Sequence, residues 1–275
     1  MRRPTLAVVG AVIVGVLVIL AVFAPLLAPY DPHALSGRAL RPPSAHHLLG
    51  TNDIGQDLVS VLIWGARASM IVAVAAAGLT VLFAMAVGIS AGLLGGPIDM
   101  VAMRTVDVLL AMPVLPLLVL IAALAGPNRV VIVFVIALLG WPRLARLLRS
   151  RTLSLRQQGF VQAAGGFGAG PLYVVRRHLV PALGSLVVAG FVNWAAVAVL
   201  LEAGLAFLGL GDPTAVSWGQ VLNRALKHPG LYFSNIWTWW VLPAGSLIAL
   251  AVLGFTFLGV GLEPVFNPRW RRGIA

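Results

Sequence analysis

The chain has 275 residues, 60% hydrophobic and 10% charged, with 30 glycines and no cysteine. An ordinary soluble domain carries about 25% charged residues, so this composition cannot clothe a soluble fold, and it is too apolar for a disordered chain. Without cysteine there are no disulfides, cysteine-ligated zinc sites, iron–sulfur clusters or thiol chemistry. What remains is an all-α integral membrane protein that crosses the bilayer several times.

Residues 6–28 form the first apolar run, following Arg2 and Arg3. At 1.5 Å per residue it reaches about 34 Å, enough to cross a hydrocarbon core of about 30 Å. A cleaved signal peptide has an apolar core of only about 7–15 residues, so an uncleaved signal anchor is expected. Residues 29–66 are rich in proline and histidine and read as an extramembrane loop with a short helix at most. Apolar spans follow at 69–95, 100–125, 130–148, 182–210 and 237–262, making six in all. The expected organisation is an N-terminal helix with its loop at 1–67, a five-helix core at 68–265 containing a polar loop at 151–181, and a tail at 266–275.

Net charge is +11, and its placement indicates orientation. With both termini inside, thirteen basic residues fall on the inner side: Arg2, Arg3, Arg104, Arg143, Arg146, Arg149, Arg151, Arg156, Arg176, Arg177, Arg269, Arg271 and Arg272. Six fall outside: Arg38, Arg41, Arg67, Arg129, Arg224 and Lys227. The opposite orientation breaks the positive-inside rule. The basic residues are thereby accounted for as topology signals, and nucleic-acid binding loses its motive. Lys227, the only lysine, follows Leu226, so no phosphate-binding loop of the G-x-x-x-x-G-K-[ST] type is present.

The loop at 151–181 is the most informative stretch. Phe160, Ala163, Ala164 and Phe167 recur at helical spacing and give one apolar face. Gly168 and Gly170 are helix-ending positions, and Pro171 prevents continuation. Periodicity alone leaves two readings open, a helix lying on lipid or a helix that docks on a protein.

The run Gln162-Ala163-Ala164-x-x-x-Gly168, with His178-x-x-Pro181, resembles the EAA loop of bacterial ABC-importer permeases. Further stretches resemble the second, C-type permease chain of dipeptide/oligopeptide/nickel importers. They are His47-Leu48-Leu49-Gly50-Thr51 with Gly55 and Asp57; Asp99, Arg104, Asp107 and Pro113; Glu202-Ala203 through Phe207-Leu208-Gly209-Leu210-Gly211; Trp218-Gly219; and Asn267-Pro268-Arg269. They occur in family order over nearly the whole chain. Gln162 stands where the family usually has Glu, Gly165 where it has a longer side chain, and Asn52 and Gln56 where Asp and Arg are common. Thr256 and Val260 replace the usual Asn and Asp.

The resemblance implies a type I ABC-importer-like permease fold in the bacterial cytoplasmic membrane. It implies partners: a homologous second permease, two ATP-binding domains inside, a substrate-binding protein outside, and membrane lipid. ATP and Mg would be held by the ATPase partners, with no cofactor on this chain. Gln162, Ala163, Ala164, Phe167 and Gly168 would couple to the ATPase, and Arg177, His178 and Pro181 would set the hinge into the fifth span. Peptides or peptide-like solutes are the expected cargo, with nickel or haem-type cargo as the alternative within the family. An ion-coupled secondary transporter is the rival class, and it calls for acid-rich spans or internal repeats.

Other constellations carry less. Arg104 and Asp107, three apart on one helix, read as a structural ion pair. Glu202 and the distant Asn193 read as interface or pathway residues, since a proton relay calls for several acids. His46, His47, Asp53 and Asp57 read as a loop cluster rather than a metal site, because adjacent histidines diverge on regular backbone. No serine or threonine stands in an activating context for nucleophilic catalysis. Trp237, Trp239 and Trp240, with Tyr232, fit an interfacial aromatic belt.

Overall fold

The computed structural model describes residues 3–266. Helix α1 (Arg3–Val22) and the one-turn α2 (Ala24–Leu27) lead into an irregular segment at 28–57. Then come α3 (Leu58–Leu94), α4 (Gly96–Ala111), α5 (Val114–Ala125) and α6 (Arg129–Arg156). Next are α7 (Gly159–Gly166), α8 (Pro171–Val174), a π-helical turn at Val175–Leu179 and α9 (Val180–Phe207). Helix α10 (Trp218–Leu226), a 3₁₀ turn at Leu231–Phe233 and α11 (Ile236–Phe266) complete the described residues.

Five helical stretches are long and apolar enough to span a membrane, and a sixth results if α4 and α5 count together. The span expected at 100–125 is broken in that pair, whose halves meet at 92°. The cause is local. Met112, the residue before Pro113, is extended at φ −82° and ψ 139°, as steric conflict with the proline ring requires. The boundary drawn at 67/68 falls inside α3, which begins at Leu58 and runs for 37 residues. At 1.5 Å each these cover about 55 Å, well beyond a hydrocarbon core of about 30 Å. The fifth span likewise begins earlier than expected, since α8, the π turn and α9 form one run from Pro171 to Phe207. The tail motif Asn267-Pro268-Arg269, with Arg2, Arg271 and Arg272, lies outside the described residues.

Packing is driven by small residues, as expected where lipid removes the hydrophobic drive between helices. Gly88 and Gly92 on α3 let α6 approach so closely that a Cβ at Gly88 would sit 2.5 Å from the Ala145 carbonyl oxygen. One at Gly92 would sit 2.7 Å from Thr152 Cβ. Helices α1 and α11 close the same way through Gly10, Gly254 and Gly261. The main core joins α1, α3, α5, α6, α9, α10 and α11. A second cluster lies at the basic end, where Val161 of α7, Val174 of α8 and Leu179 pack with Ala84, Ala145 and Leu148.

Candidate functional site

The loop helix α7 is two turns long and ends in a complete Schellman motif. Gly168 N–H donates to the Gly165 carbonyl and Ala169 N–H to the Ala164 carbonyl, both at 3.0 Å. Gly168 has φ +82°, a left-handed conformation that glycine adopts freely. Pro171 then opens α8, where its missing N–H costs nothing. The expected stop signals act as read.

Val161 anchors α7 by burial in the basic-end core. The face read from the periodicity is largely exposed, and fully so at its Phe167 end. Phe167 is 93% exposed and Phe160 49%, Gln162 and Ala163 are exposed, and Ala164 is half-buried. Phe167 and its small neighbours thus stand uncovered at the tip of a polar loop, with Phe160 half-exposed beside them. Gln162 makes only a marginal contact, Nε2 to the Gln157 carbonyl at 3.5 Å. Open space surrounds Gly165 and Gly166, so the departure from the family pattern at Gly165 answers no steric need within this chain.

His178 lies between the rings of Phe160 and Tyr173, with centroids 5.7 and 5.8 Å away. It belongs to the π turn, which joins the loop to α9. Pro181 follows just after this turn and has no N–H for a helical bond to Arg177, which favours irregular hydrogen bonding there. The hinge residues expected from sequence, Arg177, His178 and Pro181, therefore sit together at the loop–span junction. The only sequence trace of the π turn is Pro181, three residues beyond the basic run Arg176-Arg177-His178.

The ion pairing differs from expectation. Asp107 accepts from Arg146 of α6 at 2.5 Å, not from Arg104, which is exposed on its own helix. Arg149 of α6 grips Asp99 in the first turn of α4 through Nε and Nη2. Spacing along one helix could not reveal these partners, because α6 supplies both.

Glu202 is 4% exposed and accepts a hydrogen bond from Ser69 Oγ of α3 at 2.9 Å. This contact links α3 to α9, in keeping with an interface role. Asn193 is separate, exposed on α9. The two do not form one site.

At the far end, the 28–57 segment folds into a tight cap on α3. Asp57 Oδ2 accepts from Ser60 N at 2.8 Å, while Asp57 Oδ1 meets His47 Nδ1 at 3.0 Å. Gly50 and Gly55 take φ values of +72° and +87° where the chain doubles back. Asn52 Nδ2 donates to Gln56 Oε1 at 2.7 Å, so the two departures from the family pattern are the two ends of one contact. Asp53 pairs instead with Arg224 of α10 at 3.0 Å. Trp218, fully buried, donates its indole N–H to the Leu62 carbonyl at 3.0 Å and pins α10 to α3. His47 and Asp57 thus point one way and Asp53 another. Among the described residues no three metal-ligating side chains converge.

Comparison with known proteins decides the family. Residues 84–272 match the family described as binding-protein-dependent transport system inner membrane component. The chain belongs to that family. Residues 1–43 match the N-terminal TM domain of oligopeptide transport permease C. A putative peptide permease protein of Brucella suis is 38% identical over 265 residues, covering 96% of this chain and 87% of the relative. The oligopeptide transport system permease protein OppC of Bacillus subtilis is 33% identical over 98% of this chain and 88% of its own length. The probable D,D-dipeptide transport system permease protein DdpC of Escherichia coli is 32% identical, covering 98% and 89%. This permease is accordingly a multi-pass inner-membrane protein of a binding-protein-dependent transport system.

Proposed function

We propose that this permease is one of two membrane-spanning subunits of an ATP-driven peptide importer. The observation that carries the reading is the uncovered face of α7, with Phe167 93% exposed at the tip of a basic loop. An aromatic this exposed, rigidly presented by a Schellman-capped helix, fits a groove on a protein partner. The partner is an ATP-binding domain, of which the complex holds two, and ATP and Mg belong there. In support, the chain's only lysine follows leucine rather than glycine, so it offers no phosphate-binding loop. Peptide cargo is supported by the names of the relatives, which are peptide, oligopeptide and dipeptide permeases.

In this reading the α7 face, Arg177, His178 and Pro181 pass ATPase closure into α9 through the π turn. The spans then rock between inward- and outward-open states. The basic end faces the cytoplasm, while the 28–57 segment and α10 face a substrate-binding protein outside. Asn193, polar and exposed on a membrane span, lines the path or the contact with the second permease. The test is reconstitution. Vesicles holding both permeases, the ATPases and the binding protein should accumulate labelled dipeptide or oligopeptide only with ATP, and the purified chain alone should not hydrolyse ATP. ATP turnover by the chain alone, or accumulation without ATPases, would overturn the assignment.

A further inference from the structure

We propose that the cavity between the 28–57 segment and α10 on the outer face is a reception site for the charged termini of a short peptide. The inference rests on the peptide reading above and adds a site to it. The cavity measures about 620 Å³, within the range of about 300–1,000 Å³ typical of small-ligand sites. Asp53 and Gln56 line one wall, Arg224 of α10 and Lys227 just after it line the other, and the buried Trp240 contributes to the lining.

Its polar groups are incompletely used. Arg224 Nε lies 3.0 Å from Asp53 Oδ1, yet that buried oxygen has no hydrogen bond, because the guanidinium approaches off the required line. The Arg224 guanidinium also reaches Gln56 Oε1, at a long 3.4 Å. Among the described residues no carboxylate lies in ion-pair range of Lys227. A cation is favoured at the C-terminal end of α10, which explains the sign at Lys227 but supplies it with no anionic partner. The Asp53–Arg224 ion pair and Lys227, which has no carboxylate in range among the described residues, therefore border one concave space.

A zwitterionic peptide matches that set, with its ammonium directed to the solvent-facing part of the Asp53 carboxylate and its carboxylate to Lys227 and Arg224. The apolar lining from Val61, Val221 and Trp240 would take side chains by size rather than identity. A concave space of this volume suits a small solute better than the broad contact a binding protein makes.

Because the chain has no cysteine, Ala215→Cys on the cavity wall gives this subunit a single thiol. The measurement is its labelling rate in the purified complete complex, with and without millimolar dialanine. Dialanine should slow labelling several-fold, and N-acetyl-dialanine amide, which lacks both charges, should not. Lys227→Gln should remove the protection while the complex still assembles, and Lys227→Arg should retain it. Equal labelling with and without dialanine, in a complex that still imports peptide, would sink this site and leave the peptide reading standing. Protection by peptide-free binding protein and not by dialanine would make the cavity a docking surface and overturn the proposal. If the complex neither imports peptide nor shows protection, the peptide reading falls and the site falls with it.

Discussion

Arg149 holds Asp99 with two parallel N–H groups, fastening the start of α4 to the inner third of α6. Both side chains are partly buried, so the contact is shielded from water on most sides. Asp99→Asn should leave the guanidinium without its anion and lower stability by about 1.5–3 kcal/mol. The exposed Asp107–Arg146 pair should matter far less, about 0–1 kcal/mol. Thermal unfolding of the purified complex compares the two, and equal midpoints for Asp99→Asn and Asp107→Asn would contradict this ranking.

Gly140 of α6 lies against the indole of Trp194 on α9, and a Cβ at that position would overlap the ring. Gly140→Val should therefore force the helices apart, costing about 1–3 kcal/mol or more. Trp194→Ala in the same chain should recover much of the loss by opening space. If the double variant is no more stable than Gly140→Val alone, the clash is not the cause.

The spans were legible because apolar length is enough to indicate crossing. Helix α7 was legible because a helical apolar face met glycine and proline stops at one place. The break in the third span was written at Met112-Pro113 but masked by continuous hydrophobicity on both sides. Partners across helices were not legible. Asp107 lies three residues from Arg104, yet its cation comes from 39 residues away on α6. The π turn left only the weak signal of Pro181, since proline at a helix start is normally compatible with an ordinary α-helix.

Glu202 supplies the acceptor for Ser69 at the α3–α9 contact. Glu202→Gln keeps an acceptor oxygen and should leave stability within about 1 kcal/mol and uptake near normal. Glu202→Leu strands the buried hydroxyl and should cost about 1–3 kcal/mol. Melting and uptake measured together separate the roles. A well-folded Glu202→Gln complex that has lost uptake would show that the charge itself is used.

Orientation is testable with thiols in this cysteine-free chain. Gly165 stands in open space and Leu48 is exposed, so cysteine at either position should not disturb packing. With both termini inside, an impermeant reagent on intact cells should label Leu48→Cys and spare Gly165→Cys until the membrane is opened. The reverse pattern would invert the topology.

The loop face gives the sharpest separation between docking on protein and lying on lipid. Phe167 makes so little contact with its own chain that Phe167→Asp should not affect the fold, while Ala164→Asp probes the half-buried centre of the same face. If α7 seats in an ATPase groove, either variant places a charge where water is excluded. Association should then weaken at least tenfold, about 1.4 kcal/mol, and uptake should fall with it. Membrane level and pairing with the second permease should stay normal, because α7 lies outside the spans. On a lipid surface the same charges would weaken membrane contact and leave the ATPase attached. Pull-down of the ATPase with the Phe167→Asp complex decides the matter. Retention at wild-type stoichiometry with uptake intact would mean that α7 is not the coupling element.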